Sequence, residues 1–179
     1  MEYKAIFFDR DGTLTHGDPE NHRPMDEASW KELERVYHVL LSGGEADWGE
    51  DFPLVPYPET VAVLEYFQSR GYKMGVISDT FPSLELTLQK AGLAQYFTSF
   101  TASTVVGAEK PSAVIFGAAL RTQGVTAAES LYVDDCDVEA AGARKLGFTS
   151  FLIDRSGERG GEWTIHSLTE LIDFVENGM

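Results

Sequence analysis

Cysteine is nearly absent from this chain, basic side chains are few, and no long apolar run occurs. A lone Cys136 cannot close an internal disulfide or supply a cysteine-rich zinc cluster, and it suits a reducing compartment. The 14 lysines and arginines stand against 29 aspartates and glutamates, for a net charge of −15. Such a field repels nucleic acid and anionic lipid, so neither is an expected partner. It repels small phosphorylated ligands equally, so a site for one must bring its own cations. Nothing approaches the ~20 consecutive apolar residues of a membrane span, and no membrane association is expected. Met1-Glu2-Tyr3-Lys4 lacks the basic start, apolar middle and small-residue cleavage site of a secretory signal, so a cytoplasmic protein is expected. Repeats and low-complexity tracts are missing too.

What is present suits one globular domain with a modest insertion: 179 residues, 43% hydrophobic and 24% charged. Ala5-Ile6-Phe7-Phe8 is a short apolar run that stops at Asp9, the pattern of a buried parallel strand with polar groups at its carboxyl end. Similar runs are Met74 to Ile77, Leu131 to Val133 and Ser150 to Ile153, with a weaker one around Phe100-Thr101-Ala102. Helical spacing covers Glu59 to Ser69, Ser83 to Ala91, Ala113 to Gln123, Val138 to Leu146 and Ser167 to Val175, and Gly71, Gly92, Gly124 and Gly147 stand at helix stops. Strands alternating with helices predict an α/β fold: an open parallel sheet in three layers, with ligands bound outside the carboxyl ends of the strands. Residues 17–57 break the alternation. They hold an amphipathic segment, Glu27 to Leu41, and an acid-rich loop, Glu45 to Asp51. This stretch reads as a small helical cap inserted into a core of residues 1–16 and 58–179.

Four motifs carry chemistry. Asp9-Arg10-Asp11-Gly12-Thr13 follows the first strand. An Asp-Gly turn is common, but two carboxylates on alternate residues at a strand end are costly unless a cation lies between them or one is protonated. An EF-hand loop is excluded, since Phe7 occupies the position of its first carboxylate. Val76-Ile77-Ser78-Asp79-Thr80 ends a strand in a hydroxyl. Glu109-Lys110-Pro111-Ser112 puts a cation at a helix start, where it opposes the macrodipole and so calls for a functional reason. Tyr132-Val133-Asp134-Asp135 sets two acids at a strand end, more than a helix cap needs.

In order and in structural place, these motifs resemble the haloacid dehalogenase superfamily, and the resemblance spans nearly the whole chain outside the insertion. It implies a Rossmann-like core and a phosphatase using Mg2+ and a small phosphorylated metabolite. By this resemblance Asp9 is the nucleophile that becomes an aspartyl-phosphate. Asp11 protonates the leaving oxygen and then activates water. Magnesium is held by the Asp9 carboxylate, the Asp11 carbonyl and Asp135, with either Asp134 or Asp137 as the second acid of the fourth motif. Only Cys136 and Asp137 separate the acidic pair from its helix, a shorter turn than many relatives have. Ser78, Asp79 and Arg10 are expected near the phosphoryl oxygens, and Lys110 offsets their charge. The chain is expected as a monomer or homodimer.

Asp11 separates this reading from true dehalogenases, which lack that acid because a halide leaves without a proton. A phosphomutase of the same superfamily is the alternative, disfavoured by the small cap. A non-catalytic phosphoacceptor or binding module is a further one. A response-regulator receiver has similar residues in another order, with the acidic pair first and the lysine last. Substrate choice is expected in the insertion and the flap after Leu14, where His16, His22, Arg23, Arg35 and His38 are within reach of a substrate but each reads first as a solvated residue; Trp30 and Tyr37 read as cap core, and Trp48 is undecided. Cys136 and His166 are given no role.

Overall fold

A computed structural model describes residues 3–17 and 54–177, together with residues 27, 31, 35, 36, 38, 39 and 42. Its strands are β1 (Ala5–Phe8), β2 (Thr15–Gly17), β3 (Leu54–Pro56), β4 (Lys73–Ser78), β5 (Ser99–Ala102), β6 (Ser130–Asp134), β7 (Thr149–Ile153) and β8 (Thr164–Ile165). Its helices are α1 (Thr60–Ser69), α2 (Leu84–Lys90), α3 (Ser103–Val106), α4 (Ala113–Gln123), α5 (Asp137–Lys145) and α6 (Thr169–Asn177).

Six strands form one sheet in the order β5-β4-β1-β6-β7-β8, with every pairing parallel. The order turns at β1: the chain steps outward through β4 and β5, then returns to β1's other side for β6, β7 and β8. Connections that diverge on either side of β1 leave a crevice at the carboxyl ends of β1, β4 and β6.

All four residues of β1 are fully buried, and their alternation divides the core into two. Ile6 and Phe8 pack with Val63, Leu64 and Phe67 of α1, Leu84 and Leu88 of α2 and Leu171 of α6. Ala5 and Phe7 pack on the other face with Ile115, Phe116 and Ala119 of α4 and Ala143 of α5. Burial of a side chain such as Phe7 contributes roughly 1.5–3 kcal/mol. The apolar run that makes β1 the central strand therefore also fixes where Asp9 begins.

The three-layer α/β fold is the one expected from the alternation of elements, with boundaries moved by a residue or two. The weak run at Phe100 becomes β5 by pairing with β4. Two features were not expected. β2 and β3 pair antiparallel, Thr15 with Pro56 and Gly17 with Leu54, so the two ends of the stretch between them meet in one short ribbon. β8 adds an edge of two residues. Segments this short carry no readable period, and pairing alone defines them. Between β2 and β3, residues 27, 31, 35, 36, 38 and 39 are helical and Val36 is buried. The rest of the expected segment Glu27 to Leu41, the acid-rich loop, and His22, Arg23, Trp30, Tyr37 and Trp48 lie outside the described residues. Among the described residues, no helix is long and apolar enough to cross a membrane.

Candidate active site

Register builds the site. Phe8 pairs with Val76 on one side and Val133 on the other, and the Asp9 amide donates to the Val133 carbonyl at 2.9 Å, so Asp9 and Asp134 sit side by side. Period two turns both toward the face that holds Phe7 and Tyr132, beneath α4 and α5. Lys110, which leads into α4, reaches them there.

The Lys110 side chain is 2% exposed, and its ammonium donates to Asp9 Oδ1 at 2.7 Å and Asp134 Oδ2 at 2.8 Å. A third contact, 2.6 Å, goes to Glu139 Oε2 on α5. The approach of α5 depends on Gly142, where an added Cβ would lie 2.3 Å from Pro111 Cβ. Asp134 is the most engaged of these acids. The Tyr132 hydroxyl also donates to its Oδ2, and the Cys136 amide donates to its Oδ1 at 2.8 Å. Burial, with Asp134 beside it, pushes the Tyr132 hydroxyl far up, so it remains a donor.

Electrostatics follow from crowding four carboxylates around one lysine. Burial raises Asp9 to about 7, against the lowering pull of Lys110. Burial likewise raises Glu139 to about 7, again opposed by Lys110. Burial and the charge of Asp134 push Asp135 up. Lys110 is lowered by its own burial but raised more by Asp9 and Asp134, so it stays charged. The cluster is short of positive charge. Asp9, Asp134 and Asp135 each offer an oxygen within 4.8 Å of the others. Hard carboxylate oxygens at that spacing fit an oxygen-seeking dication such as Mg2+. Asp134 already has both oxygens engaged, which leaves Asp9 and Asp135 as the freer donors.

Gly12 seats Asp135. It has φ of 77°, a left-handed conformation, and a Cβ there would fall 2.1 Å from Asp135 Oδ2. The carboxylate thus rests against a glycine of the Asp9–Thr13 loop. Asp11 is exposed, and its carboxylate is gripped by Arg10 through Nε at 3.0 Å and Nη2 at 2.6 Å. The remaining arm of Arg10 reaches Thr87 Oγ1 on α2 at 3.1 Å, so this guanidinium lies on Asp11 and α2. Ser78 is buried at the end of β4. Asp79 accepts the Lys110 amide at 3.0 Å, holding the lysine's loop against β4's end. Asp137 opens α5 and is exposed, outside the trio that Asp134 joins. His16 stacks on Tyr57 with ring centres 4.8 Å apart, and His166 Nδ1 lies 2.8 Å from the Asp154 carbonyl.

Two site residues escape a reading of the sequence. Glu139 looks there like one acid in the first turn of an exposed helix; only its spacing from Asp135, one turn apart, hints at a shared site. Arg155, two residues past β7, has no local signal at all. Its guanidinium donates to the carbonyls of Gly12 at 3.1 Å and Thr13 at 2.5 Å and to Glu59 Oε1 at 2.7 Å.

The family described as haloacid dehalogenase-like hydrolase matches residues 46–147. Glyceraldehyde 3-phosphate phosphatase of Methanocaldococcus jannaschii is 33% identical over 133 residues, 69% of this chain. The chain spans only 58% of that relative's length. Among solved structures, a HAD phosphatase from Thermococcus onnurineus superposes with a TM-score of 0.76 at 26% identity, covering 97% of this chain and 98% of the other. The L-2-haloacid dehalogenase of Xanthobacter autotrophicus shares the fold, with a TM-score of 0.72 at 20% identity over 99% of this chain and 100% of its own.

Proposed function

Because the chain belongs to the haloacid dehalogenase-like hydrolases, we propose that it is a magnesium-dependent phosphatase that cleaves a small phosphorylated metabolite through an aspartyl-phosphate on Asp9. The observation that carries this reading is the buried Lys110 ammonium, 2.7 Å from Asp9, inside a carboxylate cluster that still lacks positive charge. A phosphoryl group brings more negative charge, and Lys110 is the fixed cation that meets it.

Asp9 Oδ attacks phosphorus as the bond to the leaving oxygen breaks, and Asp11, two residues on, gives that oxygen its proton. Asp11 then takes a proton from the water that attacks phosphorus, the bond from phosphorus to Asp9 breaks, and inorganic phosphate leaves Asp9 a free carboxylate. Both Asp11 oxygens accept from Arg10 here, so Asp11 carries the proton for the first step only when it has turned out of that pair toward the leaving oxygen. Ser78, buried at the end of β4, would hold a phosphoryl oxygen through its hydroxyl. Asp9, the Asp11 carbonyl and Asp135 would hold Mg2+, and the ion would supply charge that keeps the buried Asp9 ionised and offsets the phosphoryl oxygens. Glu139 and Asp134 hold Lys110 in place from behind.

Asp11 favours phosphoryl over haloacid chemistry, since a halide leaves without a proton. The archaeal relative named for a triose phosphate supports a small phosphorylated metabolite as substrate. The test is a panel of phosphorylated sugars, acids and glycerols with Mg2+, read as released phosphate. Hydrolysis that stops with Asp9→Asn or with chelator is expected. No hydrolysis of any member, or activity that survives Asp9→Asn, overturns the reading.

A further inference from the structure

Arg155 is 142 residues from Thr13 in sequence, yet its whole guanidinium is spent on the neighbourhood of the nucleophile loop. Three amides in and after that loop find acceptors within it or just beyond: Gly12 donates to the Thr15 carbonyl at 2.8 Å, and Leu14 and Thr15 donate to the Arg10 carbonyl at 2.9 and 3.0 Å. The carbonyls of Gly12 and Thr13 point the other way, and Arg155 takes both. A third arm pairs with Glu59, just before α1, whose carboxylate also accepts the Leu168 amide at 3.4 Å. The flat face of the guanidinium lies 3.3 Å from the centre of the Tyr57 ring.

Tyr57 ties these contacts to the insertion. It follows β3 directly, its amide donates to the Leu14 carbonyl at 3.1 Å, and its ring meets that of His16 on β2 at 4.8 Å. Arg155, Tyr57 and His16 thus form a continuous series across both strands through which the chain leaves and re-enters the core. The same guanidinium reaches the loop whose Gly12 is pressed against Asp135. The space that a Cβ at Gly12 would fill is taken by that carboxylate, so the loop's path at Gly12 and the seat of Asp135 are linked.

We propose that Arg155 is a positioning residue: it holds the Asp9–Thr13 loop in the conformation that seats Asp135 beside Asp9, and it joins that loop to the base of the insertion through Tyr57. This rests on the phosphatase reading above. Arg155 touches no reacting atom, so it acts through the placement of Gly12 and Asp135. A lysine cannot replace it, since one ammonium cannot serve two carbonyls and a carboxylate in a planar fork while stacking on a ring.

The test compares wild type with Arg155→Lys, Arg155→Gln and Tyr57→Leu, with Arg70→Ala as a control far from the site that loses a more exposed ion pair, with Glu176. Three quantities are read: kcat and KM on the best substrate of the panel, the Mg2+ concentration for half activity, and Mg2+ affinity by calorimetry without substrate. A misplacement of about 1 Å costs on the order of 100-fold in rate. The Arg155 variants are expected to lose tenfold to 100-fold in kcat with KM within about twofold, and to need several-fold more Mg2+ in both assays. Arg70→Ala should change none of these, and Tyr57→Leu should reproduce part of the Mg2+ shift. Arg155→Lys or Arg155→Gln with wild-type kcat and Mg2+ affinity overturns the proposal, as does a rate loss with unchanged Mg2+ affinity. Failure of both variants to fold at 10 °C also overturns it, since the residue is then a general staple. A wild type that hydrolyses nothing sinks the phosphatase reading instead, and calorimetry alone then decides for Arg155: equal Mg2+ affinity in wild type and variants, or none in either, overturns the proposal.

Discussion

Replacing Lys110 with methionine keeps the length and apolar stem of the side chain and removes only the ammonium. That ammonium contacts Asp9, Asp134 and Glu139 at 2.7, 2.8 and 2.6 Å, and the three acidic side chains are 9%, 1% and 20% exposed. Removing one partner of a buried ion pair costs about 3–5 kcal/mol, against a total stability of about 5–15 kcal/mol for a domain. The acids left behind have one escape, which is to take up protons. Asp9 and Glu139 are already raised to about 7 with Lys110 pulling them down, so without it both go higher. A carboxyl raised in the folded state binds protons that the unfolded chain has released, so its contribution falls as pH rises through the window between the two values. For the metal-free wild type that window runs from the ordinary 3.8 of Asp9 to about 7. In the variant it extends upward. The gap between Lys110→Met and wild type should therefore be small near pH 5 and reach several kcal/mol near pH 8.5. Urea unfolding of both proteins in chelator, at several pH values, measures it. A gap below about 1 kcal/mol at pH 8.5, the size of an exposed pair, or a gap that grows toward acid, refutes the burial argument.

Other perturbations test other parts of the site. Gly12→Ala must adopt φ of 77° and clear Asp135 Oδ2 from 2.1 Å; a loss of about 1–3 kcal/mol is expected, with a larger Mg2+ requirement, by thermal melting and titration. Gly142→Ala should destabilise although alanine favours a helix by about 1 kcal/mol, because the new methyl meets Pro111 Cβ at 2.3 Å; a rise in melting temperature would contradict that packing. Glu59 is pushed up by burial but drawn down further by the hydrogen bond and charge of Arg155 together with bonds from backbone amides, to a net value below the ordinary 4.5. Its stabilisation is thus present above that value and lost as pH falls through the folded one, so urea midpoints of Glu59→Gln and wild type should differ most near neutrality and converge in acid.

How much of this architecture could be read from the chain depends on where the deciding interaction lies. β1, β4 and β6 are runs of apolar residues that end at Asp9, Ser78 and Asp134, so composition alone marks both the strand and its polar end. The helix Ala113–Gln123 was readable to the residue, since its start follows the Ser112 cap and its end meets Gly124. β2, β3 and β8 were not, because two or three residues show no alternation and exist only through their partners. For the site, the motifs name Asp9, Lys110, Asp134 and Asp135, and parallel register brings them together. Whether Asp134 or Asp137 belongs with them is beyond sequence. The shortened turn starts α5 at Asp137 and turns that acid outward.

The interactions invisible in the sequence share a character: each restrains a group that the motifs name. Glu139 completes the seat of Lys110, Gly142 lets α5 come close enough for it to do so, and Arg155 holds the loop that carries Asp9. Strand ends can be predicted because burial of the strand fixes them, whereas restraint comes from whichever distant element the fold delivers nearby. A chain of net charge −15 makes this restraint more demanding. With so few cations, each one inside the site must hold a fixed position: Lys110 meets three acids, Arg10 grips one acid and one helix, and Arg155 spans two carbonyls, a carboxylate and a ring. Exchanging any of these three for the other basic residue type keeps the charge and loses the geometry. Their conservative variants therefore separate field from position: if Lys110→Arg, Arg10→Lys and Arg155→Lys all retained wild-type turnover, net positive charge alone would suffice and the positional account would fail.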